Sequence, residues 1–166
     1  MIFITLGSQK FQFNRLLQEV DRLVNEQKIT EKIYAQIGYS DYLPQYFLYD
    51  KFLDREEYER VMQQSEIVIT HAGTGAIIGA VTKGKKVIAV PRLARYGEHV
   101  DDHQLEILKQ FDEMNIICPC YDCEDLEGIL SKISTLQLVP YESNNERMIE
   151  ELDRAIKYLV NAKSHK

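Results

Sequence analysis

Residues 65–81 read SEIVITHAGTGAIIGAV, and the way this stretch is read decides the fold. Ile67, Val68 and Ile69 are apolar without alternation and lead into Thr70, the pattern of a strand buried on both faces. The run stops at His71-Ala72-Gly73-Thr74-Gly75 and resumes as a stretch of small apolar residues, which predicts a helix over residues 75–83. A strand that turns through glycines into a helix leaves backbone N–H groups unpaired at the helix N-terminus, where a phosphate is best held. The remaining chain must say whether a phosphate belongs there.

Working outward, the same pattern recurs. Residues 2–6 are a short apolar run ending at Gly7, followed by Phe13, Leu16, Leu17, Val20, Leu23 and Val24 at helical spacing. A second strand covers 33–37 and ends at Gly38, and a third lies within 46–53. Residues 54–64 are charged, with Tyr58, Val61 and Met62 on one face, and predict an exposed helix with Asp54 as N-cap. The strand at 67–70 is the fourth, and a fifth, 86–91, ends at Pro91. A helix over 98–114, a sixth strand over 115–118 and helices over 125–133 and 145–160 complete the chain. Wholly apolar strands alternating with helices predict an α/β, Rossmann-like doubly wound parallel sheet covered on both faces. One domain spanning residues 1–166 accounts for the whole length. Ligands of such sheets bind beyond the C-terminal ends of the strands, near the point where strand order reverses.

A formal charge of −6 and the lack of a Lys/Arg stripe argue against a nucleic-acid-binding surface. The N-terminus MIFITLG has no charged leader segment and reads as a core strand rather than a signal peptide. No stretch approaches the roughly 20 apolar residues that span a bilayer. These features place the protein in the cytoplasm, brought to a membrane only by a partner. The three cysteines fall together at Cys118, Cys120 and Cys123. A CxxC pair suits metal or redox chemistry, but a structural zinc needs a second pair of ligands that this chain does not carry, so free thiols at a strand end are expected.

Three segments fall at strand C-termini: Gly7-Ser8-Gln9, residues 71–75, and residues 91–104. Their glycines allow close approach of backbone to a ligand, and the Ser8 and Thr74 hydroxyls can donate beside main-chain N–H groups. That chemistry suits a diphosphate, although glycines after strands also serve ordinary turns. The third glycine of a nicotinamide-dinucleotide loop is missing, as is the Lys-Ser/Thr pair of a P-loop, which disfavours dehydrogenase and NTPase alike. With a helix starting at residue 98, His99, Asp102, His103 and Glu106 share one stripe while Val100, Leu108 and Phe111 lean to the core. That stripe suits a zinc ligand set, a sugar-hydroxyl clamp or a solvated helix start with acids favoured by the macrodipole.

Taken in order, the segments FITLGSQKFQFNRLL, QIG, IVITHAGTGAI, KKVIAVPR and GEHVDDHQLEI closely resemble the glycosyltransferase family 28 C-terminal domain in its stand-alone form. That form includes the catalytic subunit of the eukaryotic N-glycosylation UDP-GlcNAc transferase and capsular or exopolysaccharide subunits of the PssE type. The resemblance implies the C-terminal, donor-binding half of a GT-B glycosyltransferase that takes a UDP-sugar as substrate and needs no metal or cofactor in the site. Carried over residue by residue, it assigns Gly7 and Ser8 to the loop facing the phosphates. His71, Gly73, Thr74 and Gly75 go to diphosphate and ribose, and Phe52 and Leu53 to the uracil. Asp102, His103 and Gln104 are assigned to the donor sugar, with Arg92 as a charge partner for phosphate. Gly79 stands where relatives often carry a glutamate suited to the ribose hydroxyls.

The family resemblance also implies a separate membrane-anchored partner that binds a lipid-linked acceptor. The apolar face of the last helix, Met148, Ile149, Leu152, Ala155, Ile156 and Leu159, either docks there or packs on its own domain. The implied function is the donor-binding, catalytic hexosyltransferase subunit of a two-component enzyme for a bacterial capsule or exopolysaccharide. The alternative is a non-catalytic subunit that stabilises or enhances a partner transferase. In the first case the general base is His71, His103 or a group of the partner; a histidine beside a phosphate also serves as a hydrogen-bond donor.

Overall fold

A computed structural model describes residues 1–141. The expected helix over 145–160, with its docking residues Ile149, Leu152, Ile156 and Leu159, lies outside the described residues. Among the described residues six parallel strands form one sheet: β1 (Ile2–Thr5), β2 (Ile33–Gln36), β3 (Leu48–Asp50), β4 (Ile67–His71), β5 (Lys86–Val90) and β6 (Cys118–Pro119). Their spatial order is β3-β2-β1-β4-β5-β6. Strands 1 to 3 are laid down in one direction across the sheet and strands 4 to 6 in the other, so winding reverses between β1 and β4. This is the Rossmann-like, doubly wound arrangement that the apolar strands predict.

Alternate residues of each strand serve two cores. Ile2 and Ile4 of β1 pack with Leu16, Leu17, Val20 and Leu23 of α1 (Asn14–Asn25), and with Leu126 and Ile133 of α5 (Leu126–Ile133). Phe3, on the other face, packs in the core that α2 (Arg55–Gln64), α3 (Thr74–Val81) and α4 (His103–Glu113) contribute to through Val61, Ile77, Leu108 and Phe111. Both faces of the sheet are therefore dry, which is why its strands carry no polar alternation. Asp54 caps α2 as expected, its carboxylate accepting from Glu57 N at 2.8 Å.

Two boundaries differ from the expected ones. The sixth strand begins at Cys118 rather than residue 115, because Asn115 takes a left-handed φ of 54° and turns the chain before Ile116 and Ile117 enter the core. The helix expected from residue 98 begins only at His103. A 3₁₀ turn at Ala94–Tyr96 closes on Gly97, whose φ of 66° lies in the left-handed region that glycine enters without strain. Val100 consequently stands exposed instead of facing the core.

One tertiary tie was invisible in the helical pattern. Asp21, on α1, is buried; its carboxylate accepts from the amides of Gln45 and Tyr46 and from the Tyr42 hydroxyl at 2.7 Å. The bond to Asp21 pushes the Tyr42 hydroxyl up to about 12. Two backbone donors depend on this one acceptor, so Asp21→Ala is expected to cost about 2–3 kcal/mol. Urea unfolding checks this: the midpoint falls with an unchanged slope, and an unaltered midpoint would contradict the role.

Candidate functional site

The loops after β1, β4 and β5 meet at the reversal point. At their centre is the imidazole of His71, the last residue of β4, which is buried and closely packed by two glycines. A Cβ on Gly7 would lie 2.8 Å from His71 Cε1, and one on Gly73 would lie 2.3 Å from its Nε2. Gly7 also holds a φ of 73°, so both space and backbone conformation require glycine there. The ring thus joins the β1 loop to the start of α3. Burial, with the nearby Arg92 charge, lowers the His71 pKa to about 4 and keeps the imidazole neutral near pH 7.

Helix α3 opens with Gly73 at its N-cap, where no side chain caps it. The amides of Ala76 and Ile77 both turn back to Gly73 O at 3.1 Å. The Thr74 and Gly75 amides find no acceptor among the described residues and point out of the helix start. Ser8 is exposed on the facing loop.

Beneath these loops lies Arg92, which is 1% exposed. Its Nη2 donates to Leu6 O at 2.8 Å and to Phe11 O at 3.3 Å, while its own backbone amide donates to Gln104 Oε1 at 3.0 Å. The Arg92 Nε and Nη1 are buried without a partner among the described residues. Burial brings its pKa down to about 10, which still leaves it charged near neutrality. Glu98, fully buried, is committed elsewhere: Arg15 Nε and Nη2 donate to its two oxygens at 3.1 and 3.0 Å, and Leu93 N donates to it at 3.0 Å. Burial opposes the Arg15 charge, but Glu98, with Cys123 and Asp122 nearby, together outweigh it and raise the Arg15 pKa. Arg15 also faces Asp122, with Nη1 3.7 Å from Oδ1, so Arg92 is the one of the two arginines without a directly paired carboxylate among the described residues.

The sequence-derived residues divide accordingly. Gly7, His71, Gly73 and Arg92 come together, with Ser8, Thr74 and Gly75 on the rim. Gln104 is buried and engaged with the β5 loop rather than free at the surface. Asp102 accepts from Ala94 N at 2.8 Å and so braces the same loop. Because α4 starts at His103, the expected helical stripe of His99, Asp102, His103 and Glu106 does not form. Instead the side chains of His99, Asp101 and His103 converge: the two histidines of the expected stripe meet, with Asp101 in the place expected of Asp102. Phe52 and Leu53 follow β3, two strands from β1 and so about 10 Å away. The Phe52 ring is half-exposed and stands edge-on to Tyr39 with centroids 5.1 Å apart. Sequence reasoning missed Arg15, Glu98 and Asp101.

The three cysteines are free and buried. Burial pushes Cys123 up to about 12 and Cys120 upward also, so neither is poised as a thiolate.

Residues 1–159 match the family described as Glycosyltransferase family 28 C-terminal domain. The chain belongs to this family. The UDP-N-acetylglucosamine transferase subunit ALG13 of Candida albicans is 34% identical over 68 residues, covering 41% of this chain and 22% of that protein. The human subunit of the same name is 27% identical over 128 residues, covering 72% of this chain and 11% of that protein. The matched segments therefore cover less than a quarter of the length of either relative. Among solved structures, MurG of Acinetobacter baumannii superposes with a TM-score of 0.56 at 18% identity, over 80% of this chain and 40% of that one. The calicheamicin glycosyltransferase CalG4 gives 0.57 at 14%, over 95% and 38%. At such identities the likeness is one of fold, a Rossmann-like α/β arrangement shared with glycosyltransferases.

The His71 environment makes a pH prediction. Between the unfolded value of 6.5 and the folded value of about 4, the unfolded chain takes up a proton that the folded chain refuses. Stability is thus lost as pH falls through that window, by roughly 3 kcal/mol once below both values. Urea midpoints at pH 7 and pH 4.5 for the wild type and His71→Gln check this: the variant is expected to lose part of the pH dependence, and identical dependence would contradict a buried neutral imidazole.

Proposed function

We propose that the loops at the reversal point hold the diphosphate of a UDP-sugar and that the chain is the donor-binding subunit of a two-component glycosyltransferase. The observation that carries this is the pair of unpartnered amides, Thr74 and Gly75, at a helix start above the buried, incompletely paired Arg92. A diphosphate supplies the missing acceptors and the missing negative charge together. Arg92 acts from below through the dry interior, where its charge is little screened, while Ser8 and the Thr74 hydroxyl donate from the rim. Phe52 and Leu53 lie along the sheet at the distance a nucleoside base would reach, and the segment carrying Asp102, His103 and Gln104 borders the sugar.

Transfer then follows from placement. The acceptor hydroxyl attacks the anomeric carbon, and the charge that develops on departing UDP is held by the loop amides and the positive end of α3. His71 is poorly suited as general base, since a pKa of about 4 lies about three units below neutrality. It serves better as a neutral wedge between the loops. His103, on the surface at the start of α4, or a group of the partner takes the proton.

The two relatives are named as transferase subunits, which supports a partner for this chain as well. That partner is read as a membrane-anchored transferase half that binds a lipid-linked acceptor, in the assembly of a bacterial capsule or exopolysaccharide. Among the described residues no helix is long and apolar enough to cross a membrane. A purely enhancing role is the second reading, favoured by Gly79, where a side chain would enter open space on α3 and none is present to meet the ribose.

Calorimetric titration with UDP and a panel of UDP-sugars tests the proposal. Wild type is expected to bind UDP, and Thr74→Val to bind it about tenfold more weakly through loss of one hydroxyl donor to a charged group. Failure of UDP to bind both the isolated chain and its complex would overturn the donor-site reading. In the complex, His103→Ala is expected to reduce transfer without preventing assembly; undiminished transfer would favour the enhancing role.

A further inference from the structure

Outside the proposed diphosphate cleft, the loop before α4 brings together three side chains of metal-ligating type. One ring nitrogen each of His99 and His103 and a carboxylate oxygen of Asp101 all lie within 4.8 Å of one another. The His99 nitrogen is 3.2 Å from the Asp101 oxygen, and His103 Nδ1 closes on that same oxygen from the other side. One carboxylate oxygen is thus approached by two imidazole nitrogens.

The local geometry is held by packing. The His99 side chain is 8% exposed, and its ring lies 4.8 Å from Phe11 and 4.5 Å from His103, centroid to centroid. Asp101 is further fixed by the His103 amide, which donates to Oδ1 at 3.2 Å. The left-handed Gly97 and the buried Glu98 set the course of the loop, so this grouping depends on the tertiary fold rather than on helical spacing. Asp101 and His103 remain about one-third exposed, which leaves an approach from solvent.

We propose that His99, Asp101 and His103 form a binding site for one zinc ion. Tetrahedral zinc with nitrogen and oxygen ligands at roughly 2.0–2.2 Å requires ligand atoms about 3.3 Å apart. The His99–Asp101 pair already meets that spacing, while His103 has to draw back from Asp101 and the two imidazole nitrogens, within 4.8 Å, have to close on each other. Two imidazoles and one carboxylate favour zinc over magnesium, which prefers oxygen ligands, and the fourth position faces water. Zinc at His103 Nδ1 leaves the ring proton on Nε2, so an occupied site removes the ability of His103 to accept a proton. The ion would be a regulator beside the transferase site rather than a participant in transfer, and its binding does not depend on the donor-site proposal.

Titration of the purified, untagged full-length chain with zinc alone, in the absence of nucleotide, tests the site. One ion per chain is expected, with Asp101→Asn and His103→Gln each weakening it by about tenfold or more, and no comparable binding of magnesium. Cobalt in place of zinc is expected to give the visible bands of a tetrahedral nitrogen and oxygen site without thiolate-to-metal charge transfer. Three results would overturn the proposal: no zinc binding, binding undiminished in both variants, or a thiolate band that places the ion at the cysteines. Circular dichroism of both variants, expected to match wild type, separates ligand loss from unfolding; should either unfold, cobalt spectra of the wild type decide by the same criterion.

Discussion

The imidazole of His71, wedged between Gly7 and Gly73, is the contact on which the site depends. It stands where the sheet reverses its winding, so it ties the half built from β1 to β3 to the half built from β4 to β6. A larger residue at either glycine would drive the ring out, and the loops would part. The same contact turns the chain so that α3 begins with its first amides directed outward. Local backbone geometry and long-range packing therefore meet in one ring, and its neutrality follows from the burial that the packing imposes.

A second constraint is electrostatic. Arg15 reaches the β5 loop from α1 while Arg92 reaches from that loop to Leu6 O and Phe11 O, and Glu98 is bonded directly to Arg15 alone. Removing either member of a buried ion pair leaves an uncompensated charge, so the Arg15–Glu98 pair holds the loop firmly in place. Arg92 is left with carbonyl oxygens at Nη2 and with two nitrogens, Nε and Nη1, that have no hydrogen-bond partner among the described residues. An anion in the cleft above would offset the buried charge through the dry interior without touching those nitrogens, which is the link from packing to the functional proposal.

Much of the framework was legible in local sequence. Apolar runs ending at glycine or proline located the strands, and Asp54 announced the start of α2. The glycine loops identified the edge of the sheet where a ligand would sit. What escaped the reading depended on residues distant in the chain. Residue 98 looks like an acidic first-turn position until Arg15, 83 positions earlier, is seen to draw it inward. That capture, with the left-handed Gly97, delays α4 to His103 and exchanges a helical stripe for a folded loop. Asp21 likewise reads as an outward helix residue, because nothing local reveals that residues 42–46 return to it. The burial of Arg92 was equally hidden, since the carbonyls that hold it belong to Leu6 and Phe11.

The central claim is that the anion site lies at the sheet reversal, between the loops that His71 joins. The most direct measurement is amide chemical-shift mapping of the isotopically labelled chain on addition of UDP. The account predicts the largest shifts at Gly7, Ser8, Thr74 and Gly75, with a smaller set following β3 at Phe52 and Leu53. Shifts confined to other surfaces, with the 71–75 amides unmoved while UDP binds, would contradict it.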